Sequence, residues 1–151
     1  VENKALLPKW FREFPGVEWI VISGQKLPVL DDKYRVTLDV KGKRLTGSAP
    51  ELAAYELLSA VPGTLSFNHA AELFQGLVNL NPRKVEYLLS VSQSVQTKRL
   101  YLFFASFYEH GWLRRIDSQK IDLGAGKRQI VVNGKFNAQY QITVPERFQK
   151  E

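Results

Sequence analysis

The sequence contains no cysteine and only two histidines among its 151 residues. The lack of cysteine excludes thiolate catalysis, zinc–thiolate sites and a disulfide framework. His69 and His110 fall on different predicted helices and lack the close spacing of paired metal ligands. A domain of this length buries enough surface to fold without a disulfide or a structural metal. We therefore predict neither a metal site nor a cofactor.

The usual catalytic motifs are also absent. No G-x-S-x-G elbow occurs, and the sequence suggests no Ser, His and acid that could be assembled into a triad. Asp31 and Asp32 are adjacent in a predicted loop, where two carboxylates rarely converge on one substrate. Residues 123–128, LGAGKR, lack the first glycine and the hydroxyl of a Walker A loop, and a strand is predicted to follow them. We expect a protein without catalytic residues; the alternative is a nucleic-acid-processing enzyme whose carboxylates are brought together by the fold.

The first third of the chain predicts a short helix followed by antiparallel strands. Residues 1–14 form the helix, which Pro15-Gly16 closes. Residues 17–23, VEWIVIS, are rich in β-branched and aromatic side chains and predict a strand. Residues 34–47 predict a hairpin that turns at Lys41-Gly42-Lys43. The apolar residues of its first strand alternate with polar ones and define one half-buried face: Tyr34, Val36, Leu38 and Val40.

Helix signals fill the middle of the chain. Ser48 and Glu51 form a capping box with a proline in the first turn. Ser66 or Asn68 opens the next helix, and Asn81, followed by proline, caps a third. The connections between these helices are short, which favours a compact helical layer.

Residues 94–111 predict the central helix of the fold. Leu100, Phe103, Phe104 and Phe107 recur at helical spacing, and no charge occurs between residues 100 and 108. A helix that is apolar nearly all round must be covered on several sides. We expect it to end at His110-Gly111, with Gly111 in the left-handed conformation and His110 as a cation near the helix C-terminus.

The end of the chain predicts two more strands, over residues 128–132 and 140–144, around the turn Asn133-Gly134. Strands and helices are segregated rather than alternating along the chain. We therefore predict a single α+β domain over residues 1–151, with N-terminal antiparallel strands, a central layer of four to five helices and a C-terminal β-hairpin.

Positive charge is concentrated in the second half of the chain. Residues 1–80 hold 9 Lys and Arg against 9 Asp and Glu, whereas residues 81–151 hold 12 against 6, which accounts for the net charge of +6. This asymmetry indicates either an anionic partner or an ordinary solvated surface. Each basic doublet taken alone is more simply solvated surface, but several together could contact phosphates. The candidate basic surface comprises Lys98, Arg99, Arg114, Arg115, Lys127 and Arg128.

Five segments in a fixed order resemble one protein family, the AbiEi-type antitoxins of type IV toxin–antitoxin (abortive phage infection) systems. The resemblance covers almost the whole chain and departs from the family pattern at Leu52, where an arginine is frequent. The matching segments are Leu7-Pro8-Lys9-Trp10, Ser48-Ala49-Pro50-Glu51-Leu52-Ala53, Thr97-Lys98-Arg99-Leu100, Leu123-Gly124-Ala125-Gly126-Lys127-Arg128 and Tyr140-Gln141-Ile142-Thr143-Val144-Pro145.

The resemblance implies a regulatory antitoxin that opposes a nucleotidyltransferase-like toxin. In such proteins an N-terminal winged helix-turn-helix binds the promoter of the operon, and the C-terminal part carries antitoxicity. No winged helix-turn-helix precedes Trp10, so we expect this chain to correspond to the C-terminal part. The expected partners are the toxin, promoter DNA through the N-terminal domain, and nonspecific nucleic acid bound weakly by this chain. Residues 1–14 carry three cations and do not resemble a secretory signal, so we expect a cytoplasmic protein with no membrane contact.

Overall fold

The computed structural model describes residues 9, 13, 15 and 27–149 of the chain. Most of the helix predicted over residues 1–14 and the whole strand predicted over residues 17–23 lie outside the described residues. Within residues 27–149 four α-helices lie between two antiparallel hairpins, which confirms the predicted α+β class. The elements are β1 Arg35–Val40, β2 Lys43–Ser48, α1 Pro50–Ser59, α2 Phe67–Gln75, α3 Pro82–Val91, α4 Val95–Phe107, β3 Lys135–Asn137 and β4 Ile142–Val144.

The N-terminal hairpin forms as predicted, but its apolar face is exposed. Lys41 and Gly42 both have positive φ, 53° and 75°, which is the backbone of a two-residue turn whose twist suits a hairpin. Opposite each other in the register stand Leu38 and Leu45. Leu38 is 50% exposed and Val40 is 46% exposed, so the prediction of a half-buried face over residues 34–40 is wrong beyond Val36. Among the described residues no element packs over this end of the hairpin.

Side-chain caps begin three of the helices at predicted residues. Ser66 accepts a hydrogen bond from the backbone N–H of His69, and Ser94 accepts one from Thr97. Asn81 accepts from the backbone N–H groups of Arg83 and Lys84. These contacts satisfy N–H groups that have no partner within their own helix.

The predicted capping box at α1 is wrong. The N-cap residue is Ala49, whose side chain has no hydrogen-bonding group, and the helix begins at Pro50, where a proline ring fits without loss of a hydrogen bond. Ser48 instead donates through Oγ to Glu56 Oε2 at 2.7 Å. The carboxylate of Glu51 is drawn into the protein toward α3, and this contact is described below.

The central helix prediction is confirmed. Most of α4 is buried, including Leu100, Phe103 and Phe104, and Phe107 is partly buried. Phe67 of α2 lies with its ring centroid 4.9 Å from that of Phe104 and 5.1 Å from that of Phe148. Aromatic rings from three parts of the chain thus meet around α4, which is why a helix without charges over two turns is stable in water.

The end of α4 differs from the prediction. Tyr108 is the C-cap, and the left-handed residue that follows is Glu109, with φ 56°, rather than Gly111. A short 3₁₀ helix then runs over Gly111–Arg115. His110 is buried instead of acting as an exposed cation.

The C-terminal hairpin forms with a different strand pairing. β3 pairs antiparallel with β4, and Arg128 makes only an isolated bridge to Ile142, so the predicted strand over residues 128–132 is not present. The hydroxyl of Thr143 replaces part of a backbone ladder, because it accepts the N–H groups of Ile130 and Val131 at 2.9 and 3.1 Å. The turn at Asn133-Gly134 is confirmed, with Asn133 at φ 58°.

Candidate functional site

The six predicted basic residues do not form one surface. Lys98 is 4% exposed and Arg99 is 2% exposed, so the expectation that this doublet lies on the surface is wrong. Arg114, Arg115 and the pair Lys127 and Arg128 are exposed. The exposed cations fall in two places, the 3₁₀ helix Gly111–Arg115 and the loop that precedes the C-terminal hairpin.

The guanidinium of Arg99 is enclosed by backbone carbonyl groups. Nε donates to the carbonyl of Leu123 at 2.8 Å, and Nη2 donates to that of Gly124 at 2.9 Å. Nη1 donates to the carbonyls of Gly126 at 2.5 Å and Gln141 at 3.3 Å. The planar fork of arginine can reach several carbonyls at once, which a lysine ammonium cannot do in the same geometry. We call residues 123–128, which fold around this side chain, the carbonyl loop.

No acid side chain forms an ion pair with Arg99 in the described part of the chain. Burial lowers the pKa of Arg99 below its ordinary value, and the nearby positive charge of Arg128 lowers it further. Among the described residues, backbone carbonyl dipoles balance this positive charge. Arg99 therefore organises the carbonyl loop, and it is not available to an external partner.

The close fit of the loop against α4 also depends on glycine. Gly124 has φ +61°, and a Cβ placed there would lie 2.7 Å from Cγ2 of Val95. Only a residue without a side chain allows both this backbone conformation and this approach. The motif LGAGKR is thus a loop shaped to surround an arginine, rather than a loop that holds phosphate.

The carbonyl loop ends in two exposed cations with a fixed backbone. The N–H of Arg128 donates to the carbonyl of Gln141 at 2.9 Å, and its carbonyl accepts from Thr143 at 3.0 Å. Nζ of Lys127 lies 4.8 Å from the ring centroid of Phe136. Lys127 and Arg128 are therefore both exposed, and the backbone of Arg128 is held by Gln141 and by Thr143 of β4.

The second group of exposed cations lies beside an open groove. Arg115, the last residue of the 3₁₀ helix Gly111–Arg115, and Arg83, in the first turn of α3, line the same groove of about 700 Å³. The other lining residues are Asn79, Asn81 and Pro82. Arg83-Lys84 and Arg114-Arg115 are separate basic doublets in the sequence, and no local signal joins them.

Glu51, which the sequence predicted to be part of a helix cap, is a buried acid. Glu51 accepts the N–H of Asn81 through Oε1 at 2.9 Å, while Oε2 is buried without a hydrogen bond. Nζ of Lys84 lies 3.9 Å from Oε2, too far for a hydrogen bond but close enough for an ion pair. Tyr101 donates to the backbone carbonyl of Glu51 at 3.3 Å, and burial, followed by the charge of Glu51, raises the pKa of Tyr101 well above its ordinary value. Glu51 thus holds α1, α3 and α4 together.

The two histidines differ in environment. His69 is exposed near the start of α2. His110 is buried, and its Nε2 lies 3.2 Å from the carbonyl of Phe74, so Nε2 carries the proton and donates it. Burial lowers the pKa of His110 below 6.5 more strongly than this hydrogen bond raises it. The described residues contain no group of three or more His, Cys, Asp or Glu side chains that could hold a metal ion.

None of the described helices is long and apolar enough to cross a membrane. No curated protein and no solved structure matches the chain. Residues 1–145 match the sequence model of one protein family, which is described as a transcriptional regulator, the AbiEi antitoxin of a type IV toxin–antitoxin system. This match covers nearly the whole chain. The chain therefore belongs to the AbiEi antitoxin family of type IV toxin–antitoxin systems.

Proposed function

We propose that this chain is a non-catalytic antitoxin domain that opposes a nucleotidyltransferase-like toxin in the cytoplasm. The family match over residues 1–145 is the observation that carries this proposal. Autorepression of the operon would then belong to a winged helix-turn-helix domain of the kind that the family places before this region. The single domain expected over residues 1–151 would supply antitoxicity.

The exposed cations are the proposed contact with an anionic partner. Lys127 and Arg128 are carried by a loop whose backbone is fixed at Gly124 and Gly126 by Arg99 and at Arg128 by β4. A surface held in place in this way loses less conformational freedom on binding than a mobile one. Arg114 and Arg115 supply a second positive region. Lys98 and Arg99 are buried and left out of the contact, and Arg99 supports the carbonyl loop from within.

A rescue assay tests the proposal. Cells that express the cognate toxin are supplied with wild-type chain or with the double variant Lys127→Glu and Arg128→Glu, which changes the charge by −4. The matched control is Lys41→Glu with Lys43→Glu, because both lysines are exposed on the N-terminal hairpin and the charge change is equal. Surface changes away from caps and buried pairs alter stability by less than about 0.5 kcal/mol, so all three proteins should melt alike.

We expect the wild type and the hairpin control to rescue growth and the loop variant to rescue it poorly. Equal rescue by the loop variant would refute a role for Lys127 and Arg128 in antitoxicity. Failure of the wild-type chain to rescue would refute the proposed function of this region as a whole.

Weak, sequence-independent binding to a DNA duplex is expected from the same cations. The logarithm of such an affinity falls with the logarithm of salt concentration, with a slope of about 0.9 per phosphate contacted. If Lys127 and Arg128 both contact phosphates, the variant in which both are glutamate should reduce that slope by about 1.8. Fluorescence anisotropy with labelled duplexes of unrelated sequence, at several salt concentrations, measures this slope. Tight binding that prefers one sequence and ignores salt would contradict the expectation.

A further inference from the structure

The groove lined by Asn79, Asn81, Pro82, Arg83 and Arg115 is a second feature whose chemistry points to a ligand. We propose that this arginine groove binds a phosphate group through the guanidinium groups of Arg83 and Arg115. The proposal goes beyond the antitoxin function, because it depends on neither the toxin nor the carbonyl loop.

The two arginines are brought to the groove by backbones that are separately fixed. Arg83 lies in the first turn of α3, which begins at the Asn81 cap. The 3₁₀ helix that carries Arg115 is held by Trp112, whose Nε1 donates to the carbonyl of Leu77 at 2.9 Å. Directly after this helix, the N–H of Asp117 donates to Glu86 of α3 at 2.8 Å. Both arginines therefore project from anchored elements, so their approach to one groove is a property of the fold.

Neighbouring acids do not neutralise the arginines. Glu51 faces Lys84 at 3.9 Å, and Glu86 pairs with Lys120 at 2.9 Å. The contact of Glu86 with the N–H of Asp117 and with Lys120 lowers its pKa, which keeps that carboxylate ionised and occupied. Within residues 27–149 neither Arg83 nor Arg115 has an ion pair or a side-chain hydrogen bond. Two positive charges thus share one groove without a partner anion.

The lining selects for oxyanions. Guanidinium groups bind phosphate oxygens through two parallel N–H donors, and Asn79 adds an uncharged amide that can donate as well. The lining contains no aromatic ring on which a base could stack, so the groove suits the phosphate rather than the base. A volume of about 700 Å³ lies in the range of small-molecule sites and can hold a chain of phosphates.

The groove is separate from the carbonyl loop. Arg99 lies in the second turn of α4, whereas the 3₁₀ helix with Arg115 follows the other end of that helix. The eight residue steps from Arg99 to Phe107 span about 12 Å along a helix. The phosphate bound here could belong to a free nucleoside triphosphate or to the backbone of a nucleic-acid strand, and the experiment separates these two sources.

Isothermal titration calorimetry tests the proposal, with inorganic triphosphate, ATP and a short single-stranded RNA as the three probes. The test variant is Arg83→Gln with Arg115→Gln, and the matched control is Lys41→Gln with Lys43→Gln. All four side chains are exposed, so melting temperatures should remain close to that of the wild type.

We expect the wild type and the control to bind triphosphate, and the arginine variant to bind it about tenfold or more weakly, as follows from loss of charged hydrogen bonds. A larger loss for ATP than for RNA identifies a nucleotide as the source, and the reverse identifies a strand backbone. No heat with triphosphate for the wild type overturns the proposal. Equal affinity in the wild type and the arginine variant overturns it as well, and neither result bears on rescue by the loop cations.

Discussion

Replacement of Arg99 should destabilise the protein far more than replacement of any exposed cation. Arg99→Met keeps a long unbranched side chain of similar helix propensity, so α4 should remain intact. What is lost is the set of four hydrogen bonds from the guanidinium to carbonyls of the carbonyl loop and of Gln141. Because these bonds connect α4 with residues 24 to 42 positions away, their loss should loosen the whole C-terminal part.

The magnitude follows from the bonds and from the exposure of their acceptors. At the low end of about 1.5 kcal/mol for a hydrogen bond to a charged group, the four bonds together contribute about 6 kcal/mol. Gly124, Gly126 and Gln141 are exposed residues, so their released carbonyls can bind water and recover part of the loss. We expect the free energy of unfolding to fall by about 3–4 kcal/mol.

Urea unfolding followed by circular dichroism measures this change. Arg99→Lys keeps the charge but cannot reach four carbonyls, so we expect its free energy of unfolding to lie between those of the wild type and Arg99→Met. Lys98→Met is the matched control, since Lys98 is an equally buried neighbour whose side chain has no hydrogen bond or ion pair among the described residues. Lys98→Met should lower the free energy of unfolding by less than about 1 kcal/mol. A loss below about 1 kcal/mol for Arg99→Met would refute the role of Arg99 in holding the carbonyl loop.

Three further predictions concern the core, a buried histidine and the glycine of the loop. Phe104→Ala should lower the free energy of unfolding by about 3–5 kcal/mol, whereas Leu73→Ala at a half-exposed site should cost less than about 1 kcal/mol; similar values for both would contradict the central position of α4. Because burial lowers the pKa of His110 below 6.5, the unfolded chain takes up a proton first as the pH falls. The contribution of neutral His110 to stability is therefore present above about pH 6.5 and lost below it. Denaturant melts should show that the free energy of unfolding falls as the pH is lowered through this range, and that this fall is missing in His110→Asn. Gly124→Ala should lower the free energy of unfolding by about 1–3 kcal/mol, because alanine is strained in the left-handed conformation and its Cβ would clash with Val95. Adding Val95→Ala should restore only the part of the stability that the clash removed, which thermal melts of the single and double variants would show.

Local sequence rules worked where the interacting groups are close along the chain. Asn81 and Ser66 cap their helices through N–H groups two or three residues away, and such contacts can be recognised from residue type alone. Lys41-Gly42 forms the hairpin turn, in which Gly42 adopts positive φ without steric cost. The spacing of apolar residues in α4 likewise determined that it would be covered on several sides.

The same local rules failed where a distant segment supplied a better partner. Ser48 and Glu51 have the spacing of a capping box, yet Glu51 binds the N–H of Asn81, thirty positions away. The half-buried face predicted for β1 failed for a related reason, since the alternation shows which side chains share a face but not whether another element covers it.

The sequence by itself determined the α+β class, the central helix, the turns at Lys41-Gly42 and Asn133-Gly134, the caps Ser66 and Asn81, and the resemblance to the family. Only the tertiary structure decided that Arg99 is an internal support and that Lys127 and Arg128 are exposed, although all three belong to similar basic doublets. It alone placed Arg83 and Arg115 at one groove. The physical reason is that a charged side chain is exposed by default, and burial becomes favourable only where distant backbone carbonyls gather to replace its water.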